Sequence, residues 1–200
     1  MLTARIAVLA SGGGTNLQAL IDSQDRGELH SGSLRLVIAD KPGIRAIERA
    51  EKAGIPAVVI PRREERFEER VLCALEEHRI DMAVLAGFLG ILSADFIARF
   101  GGPIINIHPS LIPSFCGKGF YGLRVHQAAL DCGVKITGAT VHYVNEVPDG
   151  GKIILQKAVE VRPGDTAETL QRRVMREAEW KLLPQAAELA ARELTGGAAE

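Results

Sequence analysis

Apolar runs and amphipathic stretches alternate along the first hundred residues. Arg5 to Ala10 is a short apolar run entering a glycine loop, and from about Asn16 to Asp25 the residues Leu17, Leu20 and Ile21 share one helical face. The order then repeats. LRLVIAD predicts a strand, Ile44 to Ala53 a helix, PAVVIP a strand, Glu64 to His78 a charged amphipathic helix, and DMAVLAG another strand. Ser93 is placed to cap a helix running to about Phe100, and PIIN supplies a fifth strand. Strands alternating with helices form a parallel sheet covered on both faces, so the fold class expected is α/β, with a mostly parallel central sheet flanked by helices.

Beyond NIHPSLIP (106–113) the pattern changes. A glycine-rich stretch, SFCGKGFYG, leads into a helix from about Leu123 to Cys132. KITGATVHYV and KIILQKAVEV predict two strands able to pair as a C-terminal β-hairpin, with the polar NEVPDGG as an exposed loop between them. Thr166 starts a closing helix on which Leu170, Val174 and Ala178 recur every fourth residue. Pro184 is expected to kink or interrupt that helix before a frayed GGAAE tail.

Composition narrows the classes. Two hundred residues, 46% of them hydrophobic and 24% charged, suit a soluble globular protein with a full core and no internal linker or repeat. A net charge of −1 argues against a nucleic-acid partner. Cys73, Cys116 and Cys132 form no CxxC pair, and the N-terminal apolar run is too short for a membrane span and meets no cleavage site. Reduced thiols without a leader place the protein in the cytoplasm, away from membranes. No HxxxH spacing occurs, so no metal site is expected. The oligomeric state is left at monomer or homodimer.

Two places carry candidate chemistry. In an extended strand alternate side chains share a face, so Asn106 and His108 point the same way at a strand's carboxyl end, where Pro109 stops regular pairing. An amide donor aimed at a developing oxyanion, beside an imidazole able to move a proton, suits acyl transfer to an amine. A carboxylate beside the imidazole would fix its tautomer. Asp149 in the glycine-bounded loop is the candidate, with Glu146 competing from the same segment. His126 is expected on a helix face and His142 in a strand behind the site. The second place is SGGGTN, where Gly12, Gly13 and Gly14 let backbone N–H groups approach an anion at a helix start, and Thr15 and Asn16 serve as caps or phosphate contacts. This loop lacks the third glycine of a dinucleotide fingerprint. Asp40 therefore reads better as opening the turn at Lys41–Gly43 than as a ribose ligand.

The segments SGGGTNLQAL, AGFLGILS, NIHPSLIP, GATVHYVNEVPDGG and ILQKAVEV stand in an order that resembles the glycinamide ribonucleotide formyltransferases over nearly the whole chain. The resemblance implies a Rossmann-like formyltransferase fold over residues 1–200, with 1–100 as the nucleotide or phosphate half and 101–200 as the folate-binding and catalytic half. It implies transfer of a formyl group from 10-formyltetrahydrofolate to the amine of glycinamide ribonucleotide in purine biosynthesis, without a metal. Asn106 would stabilise the oxyanion, His108 would transfer the proton, and Asp149 would hold His108. The substrate phosphate would lie at Gly12, Gly13, Gly14, Thr15 and Asn16, and the glycinamide end at Glu179. Folate would lie against Leu89, Ile91, Leu92 and Val144, reading polar groups at Asn106 and in the loop of Asn145, Glu146 and Asp149; plain core packing is the alternative for the apolar four.

Three departures from the resemblance stand out. Gly13 replaces a common Asn, and the stretch CGKGFYGLRVH is extended. Glu64 and Gly90 stand where relatives often place Arg, with Arg63 or Arg66 as substitutes. Other folate-dependent formyl enzymes would need a further domain. A nucleotide-binding oxidoreductase would rest on the glycine loop and Asp40 alone.

Overall fold

The computed structural model describes residues 3–196. Five strands, β1 (Ala4–Ala10), β2 (Gly32–Ala39), β3 (Ala57–Val59), β4 (Met82–Leu85) and β5 (Ile104–His108), alternate with helices α1 (Thr15–Asp25), α2 (Arg45–Lys52), α3 (Phe67–Glu77) and α4 (Ala94–Phe100). After α5 (Leu123–Asp131) come β6 (Ile136–Tyr143) and β7 (Ile153–Glu160). The chain closes with α6 (Ala167–Val174), a π-helical turn (Met175–Glu179) and α7 (Trp180–Leu194). One seven-stranded sheet results, in the order β3-β2-β1-β4-β5-β6-β7. The strands through β5 are parallel, while β6 and β7 run antiparallel to their neighbours, as the hairpin pattern predicts.

The alternation of side chains on β1 sorts the core into two layers. Ile6, Val8 and Ala10 join Leu17, Leu20 and Leu183 on one face. Ala7 and Leu9 join Val71, Leu75 and Phe96 on the other. Both faces are buried, hence the near-continuous apolar runs in the sequence. Helix starts follow their chemistry: Ser93 Oγ accepts the Phe96 N–H at 3.1 Å, and Thr166 and Thr169 form a reciprocal capping pair. No helix among the described residues is long and apolar enough to cross a membrane.

Two expectations are corrected. Helix α3 begins at Phe67 rather than Glu64, because Arg66 takes a left-handed φ of 62° and Glu64 folds onto Arg70. Pro184 does not break the closing helix, since α7 runs through it. The carbonyl that its missing N–H leaves free belongs to Trp180, where α7 joins the π turn, so the irregularity lies one turn upstream. Of the GGAAE tail, residues 197–200 lie outside the described residues.

The β6–β7 connection is closed by glycine. A Cβ on Gly151 would sit 1.7 Å from the Tyr143 carbonyl oxygen. Gly151→Ala should therefore force the hairpin mouth open and cost roughly 1–3 kcal/mol of stability, read from denaturant unfolding. It should also lower activity, because Asp149 sits two residues away; a variant as stable and active as the parent would contradict this packing.

Candidate active site

Parallel strands present their carboxyl ends, and the loops that follow them, along one edge of the sheet. The loops after β1 and β4 diverge there because β1 connects to β2 on one side while β4 pairs on the other. The crevice that opens is a cavity of about 630 Å³, within the usual range for small-molecule sites. It is lined by the 11–16 loop, residues 85–92, the end of β5, the 117–122 stretch, the 144–149 loop, and Gln171, Met175 and Glu179.

Asn106 and His108 share a face of β5, as their spacing predicts. Antiparallel pairing sets Asn106 directly opposite His142 on β6, and their Nδ2 and Nε2 atoms lie 3.1 Å apart. His142 Nδ1 lies 2.8 Å from the Tyr143 carbonyl oxygen, while its Nε2 faces both the Asn106 amide and Asp149. The Asp149 carboxylate completes the cluster. One oxygen lies 3.5 Å from Asn106 Nδ2 and 3.6 Å from His142 Nε2; the other lies 3.5 Å from His108 Nδ1 and accepts the Gly117 N–H at 2.8 Å. Glu146 is exposed, so the competition between the two carboxylates resolves to Asp149.

His108 is 5% exposed, and both its nitrogens face acceptors: Nε2 lies 2.9 Å from the Phe115 carbonyl oxygen and Nδ1 faces Asp149. Burial pulls its pKa below the ordinary value, against Asp149 and Phe115, which favour the charged ring. Burial likewise opposes charge on Asp149, yet His142, His108 and the Gly117 N–H together hold its carboxyl below the usual range. Burial therefore favours the neutral His108 ring, while Asp149 and the Phe115 carbonyl, one beside each ring nitrogen, offset part of that preference.

The extended glycine-rich stretch forms a wall of the cleft. It is pinned by the Phe115 and Gly117 contacts, and Phe115 itself takes a φ of 51°. Burial and the neighbouring Asp149 push the Cys116 thiol pKa up, and its Sγ donates to the Pro113 carbonyl at 3.2 Å. It is therefore a poor nucleophile at neutral pH.

The glycine loop leads into α1 without a side-chain cap, and the first helical bond runs from Gln18 N to the Gly14 carbonyl. The N–H groups of Thr15, Asn16 and Leu17 are left for an anion in the cleft. Gly14 has φ 69°, and a Cβ there would meet Ala46 at 2.8 Å, so the loop packs tightly on α2. Arg49 of α2 props it from behind by donating to the Gly13 carbonyl at 2.9 Å. A Cβ on Gly13 would meet nothing within 4 Å, so this position of the loop has room for a side chain.

Across the cleft, Glu179 is 7% exposed and accepts the Asn16 Nδ2–H at 2.8 Å. Burial pushes its pKa up to about 7, with the Asn16 bond opposing. In an α-helix a spacing of four residues drifts by about 40° per step. The π turn counters that drift, which keeps Gln171, Met175 and Glu179 on one stripe facing the cleft. The fourfold spacing of Leu170, Val174 and Ala178, all fully buried on the neighbouring stripe, was the available sequence signal for it.

The apolar residues divide. Leu92 is buried in the core and Val144 packs against it, whereas Leu89 and Ile91 are 49% and 71% exposed at the rim. Tyr121 and Val147 add further exposed apolar surface to the lining, of the kind that marks a ligand site. Asn145 shapes its own loop by accepting the Val147 N–H at 3.0 Å. Arg66 pairs with Glu69 on the surface, and the cation beside Gly90 is instead Arg62, whose Nη1 stands 4.0 Å from Asp40. Asp40 is buried and accepts the Ser11 hydroxyl at 2.7 Å, so one of its oxygens braces the glycine loop. Sequence reasoning missed Ser11, Gln171, Met175 and Lys118 in the lining. No group of three or more His, Cys, Asp or Glu among the described residues could hold a metal ion.

Comparison with known proteins agrees with the fold. The family model described as "Formyl transferase" matches residues 4–187. The chain is 46% identical over 192 residues to the trifunctional purine biosynthetic protein adenosine-3 of Homo sapiens, covering 94% of this chain but only 18% of that protein's length. It is 39% identical to the phosphoribosylglycinamide formyltransferase of Bacillus subtilis, covering 85% of this chain and 86% of the relative. The crystal structure of glycinamide ribonucleotide transformylase 1 from Symbiobacterium toebii superposes with a TM-score of 0.88 at 38% identity, over 96% of this chain and 89% of that one.

His126 on α5 is fully buried, and neither ring nitrogen has a partner among the described residues. Burial, helped by the charge of His108, pushes its pKa down to about 4. An unfolded histidine takes up its proton near 6.5. Between those values the unfolded chain binds a proton that the native ring refuses, so stability falls as pH drops from about 6.5 towards 4, by about 3 kcal/mol. Urea midpoints measured over that range should fall more steeply for the parent than for His126→Leu; parallel curves would contradict a neutral buried His126.

Proposed function

The chain belongs to the formyl transferase family, and on that premise we propose that it transfers the formyl group of 10-formyltetrahydrofolate to the amine of glycinamide ribonucleotide, a step of purine biosynthesis. The observation that carries this reading is the meeting of Asn106, His108 and Asp149 at the mouth of β5, in one cleft with an uncapped helix N-terminus. The names of the Bacillus subtilis relative and the Symbiobacterium toebii structure support the acceptor. The three cysteines, all unpaired, support a reducing cytoplasm.

The residues present fit both substrates. The exposed rim of Leu89, Ile91, Tyr121 and Val147 suits a flat, partly apolar ring system, and the polar 144–149 loop suits its edge. Bound folate supplies the activated formyl carbon. The phosphate of the acceptor is held by the 12–16 loop, where backbone N–H groups and the helix dipole favour negative charge. Glu179 receives the glycinamide end. The amine attacks directly, because the Cys116 thiol is disfavoured as a nucleophile. Asn106 Nδ2 stabilises negative charge developing on the formyl oxygen. His108 takes the amine proton at Nδ1, with Asp149 and the Phe115 carbonyl stabilising the imidazolium. It returns that proton to the folate nitrogen as the bond between that nitrogen and the formyl carbon breaks, releasing tetrahydrofolate and the formylated amine.

Formyl transfer to glycinamide ribonucleotide, followed through the absorbance of deformylated folate, checks these roles. Asn106→Ala should lose roughly two to three powers of ten in rate. His108→Ala should lose roughly two to four. Cys116→Ala should retain turnover. Near-normal rates for the first two, or abolished turnover in a folded Cys116→Ala protein, would refute direct attack at this site.

A further inference from the structure

The glycine-rich stretch after β5 brings a cation to the cleft that neither the fold nor the transfer chemistry uses. Lys118 is the only lysine or arginine among the described residues that line the cavity. It is exposed and enters no ion pair among the described residues. The other charged residues of the lining are acids, Glu146, Asp149 and Glu179. A wall of that sign repels anions.

Both substrates of the proposed reaction are anions. The acceptor's phosphate has a positive site of its own, the backbone N–H groups at the start of α1. That loop follows β1 whereas the stretch with Lys118 follows β5, and β4 lies between them, so the two places stand about 10 Å apart along the sheet edge. The folate ends in a glutamate, whose carboxylates need a different partner.

Reach shows which residue meets them. Gly117 N–H is held by Asp149 at 2.8 Å and the Phe115 carbonyl faces His108 Nε2 at 2.9 Å, so the backbone leading to Lys118 is fixed against the reactive groups. Phe120 N then donates to the Gly117 carbonyl at 3.1 Å, closing a turn with Lys118 at its first corner. A lysine stem extends about 6 Å, which carries the ammonium as far as about 10 Å from the Asp149 carboxylate. The α-carboxylate of a folate glutamate lies about 9 Å from the nitrogen that bears the formyl group. The two lengths match. Arg124, on the same stretch, is held over the Tyr121 ring at 5.0 Å and is not part of the lining.

We propose that Lys118 is a specificity-determining residue of the donor site, its ammonium pairing with a carboxylate of the folate's glutamate tail. The turn that places it is anchored on Asp149, so the same carboxylate orders the reactive groups and the tail contact. This assignment rests on the proposed function.

Folic acid and its diamide, in which both glutamate carboxylates become amides of nearly the same size, separate charge from shape, and calorimetry reads their binding without turnover. The parent should bind folic acid about threefold to fivefold more tightly than the diamide, the range of an exposed ion pair. In Lys118→Ala the two should bind alike, and in Lys118→Glu the diamide should bind better. Added salt should erode the preference of the parent. A preference kept in Lys118→Ala would give the tail to another cation, such as Arg62, and overturn the proposal. So would a parent that does not distinguish the two ligands, or a variant that weakens ribose 5-phosphate and leaves the folate preference intact. Should Lys118→Ala not fold, Lys118→Gln puts the same question with most of the stem retained. If the preference and its loss are found in a protein that transfers no formyl group to glycinamide ribonucleotide, the transfer reading fails and the tail site stands.

Discussion

The carboxylate of Asp149 ties the paired strands β5 and β6 to the glycine-rich stretch that lies outside the sheet. It reaches His108 at the end of β5, faces His142 on β6, and accepts the backbone N–H of Gly117 in the glycine-rich stretch. A carboxylate only 15% exposed loses solvation, and charge is kept on it because donors and imidazoles surround it. The hairpin pays for this position in backbone freedom, since Asp149 itself takes a φ of 56° and Gly151 leaves no room for a Cβ.

Strand pairing and this anchor together bring the polar groups of the cleft into one cluster. The sheet supplies Asn106, His108 and His142 at fixed register, so their mutual distances follow from strand pairing. The loops supply Asp149 and the Phe115 carbonyl, and each is held by the residue it acts on. A similar economy operates at the other end of the cleft. The glycine loop is braced by Ala46 and Arg49 of α2, while Glu179 is brought over it by a π turn in the closing helix. Both ends therefore depend on local backbone conformations that ordinary helix and strand geometry does not provide.

Much of the fold was legible because its signals are local. The Ser93 cap, the apolar runs of β1 to β5 and the paired pattern of β6 and β7 each state their own structure. NIHPSLIP was legible as a strand end with Asn106 and His108 on one face, because side chains alternate with period two. What stayed hidden depends on tertiary distance. Asp149 and Glu146 are equivalent by spacing, and only the fold exposes one and buries the other. Arg62, Arg63 and Arg66 are equivalent by residue type, and only the fold sets Arg62 beside Gly90 and Asp40. Pro184 looked like the break because proline is the obvious irritant, while the π turn announced itself only through a spacing of four held too long.

The central claim is that Asp149, 3.5 Å away, favours the charged form of His108 against the burial that opposes it. Histidine-resolved NMR titration of the parent and of Asp149→Asn measures it directly. The His108 ring should titrate below the ordinary histidine value in the parent, because it is buried, and lower still in the variant, because the partner that favours its charged form is gone. The same His108 titration in both proteins, with the fold intact, would contradict the account.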